Sequence, residues 1–441
     1  MADLGMYRGT PWLLPNLVAL RWTNFDVSCT QSIPLFLGPN LTTLCLAFQH
    51  DAIAWNSELS NHVYGEVVNL VESLLDICPS LTEIEIGDWR EEALLMATLP
   101  FLYRCQRMQG FFVTNVEPGW SRDDIRRLAS QHSLKKVFLS FSEDIAADLS
   151  FLTTDISLQY PFPSLDSIYL ATPTLPSFTE LIKAMGRCRL RIITIEFWTP
   201  SNADQLYDLF VTLWHKCSKT SLQRLYIATR IPDYAMGPGN HTLTLNLLLP
   251  MFDFPNITCF SISMPLVGCL LDREFAHIAL RWPWLTDLGF CDSWGWTKLS
   301  EVTFAAIAFV AWKCPQLVSL AAAVNPNIDN VALVTRRRGF KPNRALRFFN
   351  ALDSPMGDPL MFARVLHSFA PNIVRVSGLS RNLDEQDSEE PLDQDPIAFF
   401  ESVTNILFDL REGKEPGRSR QMLSSGWGES LSSFRPETVA D

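Results

Sequence analysis

The sequence predicts an α/β solenoid: a curved arc with parallel strands on its concave face and helices on its convex face. Three observations predict it. A six-residue word with apolar letters at its first, fourth and sixth places recurs along the 441-residue chain. Its mean spacing is near 30 residues. Between the words lie amphipathic segments with the period of a helix, several of them closed by proline. A unit of one strand and one helix cannot bury its own apolar face, whereas stacked copies can.

The words begin at Leu17 (LVALRW), Leu41 (LTTLCL), Leu81 (LTEIEI), Met108 (MQGFFV), Leu134 (LKKVFL), Leu165 (LDSIYL) and Leu190 (LRIITI). They continue at Leu222 (LQRLYI), Ile257 (ITCFSI), Leu285 (LTDLGF), Leu317 (LVSLAA), Leu346 (LRFFNA) and Ile373 (IVRVSG). Twelve intervals cover the 356 residues from Leu17 to Ile373, which predicts about 13 irregular repeats. Let the first letter be +0. The side chains at +3 and +5 then point to one side of a short strand, and those at +2, +4 and +6 to the other. The first set, with the +0 anchor, predicts the core. The second set predicts the concave surface.

The helices follow from spacing and end signals. VVNLVESLLDIC places Val67, Leu70, Val71, Leu74, Leu75 and Cys78 on one face. QLYDLFVTLWHKC does the same with Leu206, Leu209, Phe210, Leu213, Trp214 and Cys217. Ser177 with Glu180, and Ser121 with Asp124, read as capping boxes that open two helices. An apolar residue followed by proline closes others, at Cys78-Pro79, Trp282-Pro283, Cys314-Pro315 and Ala370-Pro371. Proline lacks the N–H that the next helical turn needs and disfavours helical backbone in the residue before it. DPIAFFESVTNILFDLRE, with Ile397, Phe400, Val403, Thr404 and Leu407 on one face, predicts a helix that caps the last repeat.

The expected organisation is a solenoid over 1–383, an acidic loop at 384–395, a capping helix at 396–411 and a disordered tail at 412–441. The tail is rich in Gly, Ser and charge, but Met422, Leu423, Trp427, Leu431 and Phe434 are interspersed in it. It is expected to fold back toward the concave side. DEQDSEEPLDQD from Asp384 carries seven acids in twelve residues and reads as a solvated loop. RRRGFKPNRALR from Arg336 reads as a helix end followed by a loop.

Composition narrows the function. Hydrophobic residues make up 47% and charged residues 19%, a globular balance. With 36 Lys+Arg against 48 Asp+Glu the net charge is −12, which argues against a nucleic-acid partner and leaves basic protein partners open. MADLGMYRGTPWLL has an acid at Asp3 and no apolar core of a secretory signal. The most apolar helical stretch, FAAIAFVAW from Phe304, falls far short of the ~20 residues of a membrane span. Ten scattered cysteines without a C-x-x-C pair fit reduced, buried thiols in the cytosol or nucleus. The sequons at Asn40, Asn240 and Asn256 are then chance matches.

The C-P-x-L-x-x-L-x-[LI] openings at Cys78 and Cys314, with variants at Phe162, Phe254, Trp282 and Ala370, carry a resemblance. The chain resembles the leucine-rich-repeat proteins, and more narrowly the divergent fungal F-box/leucine-rich-repeat proteins, over residues 13 to 380. The resemblance implies a non-catalytic substrate-recognition arc. In that family an F-box at the amino-terminal end binds the adaptor of a cullin-RING (SCF) ubiquitin ligase. Two departures stand out. No F-box is recognisable: LLPNLVALRW at Leu13 has Leu-Pro without the following acid and reads as a repeat word. The chain is therefore expected to begin inside the arc, with adaptor and cullin as partners only if an F-box exists outside it. The second departure is at +8, where common repeats carry Asn or Cys. Here only Asn325 fits, so irregular curvature is expected.

The +2, +4 and +6 letters give the candidate partner-binding residues: Phe112, Lys136, Phe138, Tyr169, Glu196, Arg224, Tyr226 and Asp287. Earlier words add Arg21, Glu83 and Glu85. Later ones offer a floor of small residues, among them Cys259, Ser261, Gly289 and Ala321. Aromatic residues and arginine are enriched at the energetic anchors of interfaces. The competing reading is that Phe112, Phe138 and Tyr169 only cover one another across adjacent strands.

Catalytic patterns are absent. The seven histidines are dispersed without H-E-x-x-H spacing, and neither a G-x-S-x-G elbow nor a P-loop occurs. No catalytic site, cofactor or metal is expected. The expected function is the substrate-recognition part of an SCF-type ubiquitin ligase receptor, acting on a protein substrate as a monomer in the cytoplasm or nucleus. The alternative is a standalone repeat scaffold or regulator unrelated to ubiquitin. An enzyme with a site assembled across repeats is a third reading.

Overall fold

Each of the thirteen words forms one strand of a single sheet, and the strands stack in chain order. The computed structural model describes residues 12–25, 32–48, 69–74, 76–87, 99, 103–113, 120–154, 160–199, 201–230, 242–292, 294–296, 300–326, 331–379 and 395–415. The first seven strands are β1 (Ala19–Phe25), β2 (Thr43–Phe48), β3 (Glu83–Gly87), β4 (Gly110–Val113), β5 (Lys136–Ser140), β6 (Ser167–Thr172) and β7 (Ile192–Phe197). The rest are β8 (Arg224–Thr229), β9 (Cys259–Ser263), β10 (Asp287–Phe290), β11 (Ser319–Ala321), β12 (Phe348–Asn350) and β13 (Arg375–Ser377). Neighbouring strands are parallel and pair letter for letter, as Lys136 with Ser167 and Arg224 with Cys259.

One register runs from end to end because of a repeated backbone device. The carbonyl at +1 of each word accepts two N–H groups, from +1 and +2 of the next word. Gln223 O, for example, accepts from Thr258 N at 2.8 Å and Cys259 N at 3.1 Å. Where +1 is threonine, the hydroxyl donates to the preceding +1 carbonyl as well. Thr42, Thr82, Thr258 and Thr286 all do so, at 3.0–3.2 Å. A slip by one letter would break this ladder and turn the core letters outward.

The core is the +0, +3 and +5 letters packed under helices. Leu81, Ile84 and Ile86 are buried, as are Leu222, Leu225 and Ile227 and their counterparts in the other words from β2 onward, except Gly378 in the last. The helices covering them include α1 (Arg122–Ala129), α2 (Leu175–Ala184), α3 (Ala203–Lys216), α4 (Asp272–Arg281), α5 (Phe304–Lys313), α6 (Pro359–Phe369) and α7 (Pro396–Arg411). Ser121 and Asp124 form the expected capping box on α1. Helices α4, α5 and α6 stop at Trp282, Cys314 and Ala370, each just before its proline. Among the described residues no helix is long and apolar enough to cross a membrane.

Three local expectations need correction. Helix α2 is capped by Thr174, whose hydroxyl accepts from Ser177 N; Ser177 lies inside the helix, and Glu180 pairs outward with Lys183. Pro176 suits the first turn of a helix, so the start moves upstream. Trp214 is 37% exposed, because it sits at the margin of the α3 stripe. Its indole donates to Asp253 Oδ2 at 2.5 Å and Lys219 lies over its ring. Ile397 is 55% exposed, and Phe399 is buried in its place beside Phe400.

Helix α7 lies against the last strand, β13. Phe400, Val403 and Leu407 are buried, and Thr404 Oγ1 bonds both Val376 N and Val376 O. The approach is close at Gly378, where a Cβ would lie 2.0 Å from Phe400 Cε2. Gly378→Ala is therefore expected to push α7 off the sheet end. Amide exchange over Pro396–Arg411 should rise while exchange in β5–β8 stays as it was. The acidic run up to residue 394 and the tail from 416, with its five apolar residues, lie outside the described residues. Asp395 caps α7 by accepting from Ile397 N at 2.9 Å. The Arg336 run follows a helix ending at Thr335, with Phe340 packed 6.0 Å from Trp312.

Candidate interaction surface

Among the described residues the helices cover one side of the sheet, so the +2, +4 and +6 letters share the other, inner side. All eight candidate residues lie on it, in a band from β4 to β10. They do not converge on one pocket. They fall into three groups with different chemistry.

The first group is charged and paired. Lys136 Nζ donates to Glu83 Oε1 at 3.0 Å, reaching from β5 to β3 across β4. It can do so because the intervening residue is Gly110, where a Cβ would meet Glu83 Cγ at 3.2 Å. Arg21 makes a similar reach to Glu85, at 3.9 Å, across Cys45. Burial, helped by the Glu85 charge, pushes that thiol up to about 11. The Lys136–Glu83 pair is part-exposed and adds at most about 1 kcal/mol to stability. Its larger consequence is that Lys136 meets a partner already paired.

The second group is aromatic. Phe112 and Tyr169 meet edge to face with ring centroids 6.2 Å apart, across β5. Phe138, on the strand between them, is only 9% exposed. Phe112 and Tyr169 meet as the competing reading has it. The three also form one patch, with the half-buried Phe112 and Tyr169 as its open part.

The third group surrounds Tyr226. Burial pushes its phenol up, and the nearby charges of Asp292 and Glu196 add to that. Glu196 is paired with Arg230. Arg224 is exposed and has no ion pair among the described residues. On the far side the small floor opens: Ser261, Gly289 and Ala321 lie at successive +4 positions. A Cβ on Gly289 would sit 3.1 Å from Ser261 Oγ. Asp287 stands at the lower margin, its Oδ2 2.7 Å from Thr286 Oγ1.

Four surface residues escaped the sequence reading. Arg230 and Asp292 stand just beyond their strands, outside the three letters used to list the face. Phe348 and Arg375 obey the +2 rule, and the rule alone would have found them; both are exposed. Two clefts, of about 470 and 800 Å³, lie elsewhere. One is lined by Thr244, Arg273 and His277, the other by Trp312, Pro315 and Asn343, and neither contains a residue of the sheet. Among the described residues no group of three His, Cys, Asp or Glu is placed to hold a metal ion.

No family model and no curated protein sequence matches the chain. Solved structures do. One is the leucine-rich repeat-containing protein LegL7 from Legionella pneumophila, at 13% identity and a TM-score of 0.31, covering 90% of this chain and 98% of that one. Another is a chain of the Rad7 and Elc1 complex in yeast, at 14% identity and a TM-score of 0.30, covering 76% of this chain and 93% of that one. Overlaps this loose carry no function across. The α/β repeat solenoid stands on the thirteen-strand parallel sheet itself.

Proposed function

We propose that this chain is a non-catalytic protein-binding solenoid whose inner strand face, from Phe112 to Asp287, is the contact surface. One observation carries the reading: a single-register sheet holds aromatic, cationic and anionic side chains in rows on its helix-free side. Such a face suits an extended protein surface better than a small molecule, which needs a concave pocket. Within it, Tyr226, Arg224, Phe112 and Tyr169 are the anchors we propose.

The narrower reading is the substrate-recognition part of an SCF-type ubiquitin ligase receptor. The C-P-x-L word openings support it by resemblance. Adaptor and cullin would then be engaged only through an F-box outside this chain. A standalone scaffold or regulator, acting in the cytoplasm or nucleus, is the alternative.

Site-specific photo-crosslinking separates these readings. A photoreactive residue replacing Tyr226 is expected to capture a partner that the same residue at Tyr207, exposed on the helix side, does not. Equal capture at both positions would overturn the inner-face assignment. Probing the captured complexes for the ligase adaptor and cullin then tests the narrower reading, and their absence leaves the scaffold.

A further inference from the structure

Nine cysteines fall among the described residues, and two of them touch. Cys188 Sγ and Cys217 Sγ are 3.2 Å apart. Each residue follows the end of a helix, α2 and α3 respectively, just before the next strand. Their backbones are joined as well: Cys188 N donates to Lys216 O at 3.0 Å, and Ser218 N to Cys188 O at 2.9 Å. The two residues therefore form an isolated parallel bridge below the main sheet.

We propose that Cys188 and Cys217 form an oxidative modification site, at which a hydroperoxide converts the two thiols into an intramolecular disulfide. The bridge presets the geometry. Paired parallel strands lie about 4.8 Å apart, inside the Cα separation of ~4.4–6.8 Å that a disulfide spans. The sulfurs need to close by about 1.2 Å to reach bonding distance. No large backbone movement is required.

The pair also has an ordered reactivity. With Cys217 as the hydrogen-bond donor, the Cys188 thiol is held below its ordinary value, and the Lys216 charge adds to this. Cys217 is pushed well above its own, by that same bond and by burial. At Cys188 this bond outweighs burial, which raises the thiols elsewhere, Cys45 and Cys78 to about 11 and Cys259, Cys291 and Cys314 to about 12. The thiolate is the nucleophile, so Cys188 reacts first. Its sulfur attacks a peroxide oxygen, an S–O bond forms, the O–O bond breaks, and the leaving oxygen takes up a proton as water or alcohol. Cys188 is now a sulfenic acid. Cys217 sulfur then attacks Cys188 sulfur. The S–S bond forms, the S–O bond breaks, and the hydroxyl leaves as water with the Cys217 proton. Two thiols have been oxidised and one peroxide reduced; a dithiol restores them.

The bond would staple the boundary between the repeats of β7 and β8, the strands that carry Glu196, Arg224 and Tyr226. This proposal does not depend on the binding role of those residues.

The test treats the reduced full-length chain with one equivalent of hydrogen peroxide, blocks free thiols under denaturing conditions, and maps peptides by mass without reduction. The expected product is a Cys188–Cys217 linked peptide, in about tenfold excess over any other cysteine pair and abolished by dithiothreitol. The same oxidation in guanidinium supplies the control. In Cys217→Ser, Cys188 is expected to accumulate as a sulfenic acid trapped by dimedone, whereas Cys188→Ser leaves Cys217 unmodified. Pairing no more selective in the native chain than in guanidinium overturns the proposal. So does a native chain in which both thiols remain alkylatable. The wild-type map decides the matter even if a serine variant fails to fold.

Discussion

Replacing Phe260 by alanine is expected to lower the unfolding free energy of the middle repeats by about 3–5 kcal/mol. Phe260 is the +3 letter of β9 and is fully buried. Its ring centroid lies 4.7 Å from Trp282 after α4, 6.2 Å from Phe210 on α3 and 6.0 Å from Phe290 on β10. Truncation empties a space walled by three elements, two of them helices that rest on neighbouring strands. The +1 ladder holds those strands in place, so the space cannot close by collapse. Phe260→Leu keeps most of the volume and should cost markedly less. In a solenoid each repeat contacts only its neighbours, so the damage should be local. Urea unfolding reads the magnitude, and amide exchange reads the place: faster in β8, β9 and β10, unchanged in β1–β3. Loss spread evenly over the sheet, or below about 1 kcal/mol, would show that the ring is not the keystone of this layer.

The strands were legible because their signal is periodic. Three apolar letters recur in phase, burial is a local demand on each, and neither depends on a distant partner. The helix ends at Trp282, Cys314 and Ala370 were legible for the same reason, since proline acts on the residue beside it. What the word conceals is interaction at a distance. Lys136 meets Glu83 only because β4 carries glycine at the crossing point, a fact about three words at once. Trp214 falls at the stripe margin and is claimed by Asp253, thirty-nine residues on. The threonines at +1 carry no signal in the word itself, and their hydroxyls find neighbouring carbonyls only once the strands are stacked. The surface follows the same divide: its rows can be read from sequence, whereas which charges are already neutralised depends on packing.

Asn343 is the residue where that distant bookkeeping matters most, and its replacement is the second large effect. Asn343 lies three places before the word at Leu346 and is buried. Its Nδ2 donates to Ala311 O and Cys314 O, both at 2.9 Å. Its Oδ1 accepts from Ala345 N at 2.7 Å and Leu346 N at 2.9 Å. The need is set by Pro315. In a continuing helix the Ala311 carbonyl would accept from residue 315, and proline has no N–H to give. Asn343 supplies the missing donor from the next repeat and ties the end of α5 to the turn into β12. Asn343→Leu removes all four bonds and strands buried backbone groups, so a loss of about 3 kcal/mol is expected. Asn343→Asp is the sharper experiment. It keeps an acceptor but turns a carboxylate toward two carbonyl oxygens, which favours the protonated acid in the folded state. The folded pKa then lies above the unfolded value of about 4, and the folded variant binds more protons than the unfolded chain above that pH. Its stability should rise as pH falls toward about 4, where the acid O–H can donate to one carbonyl. Thermal unfolding of the variant across that range measures the slope relative to wild type. A flat difference would mean that the two carbonyls are not what Asn343 holds.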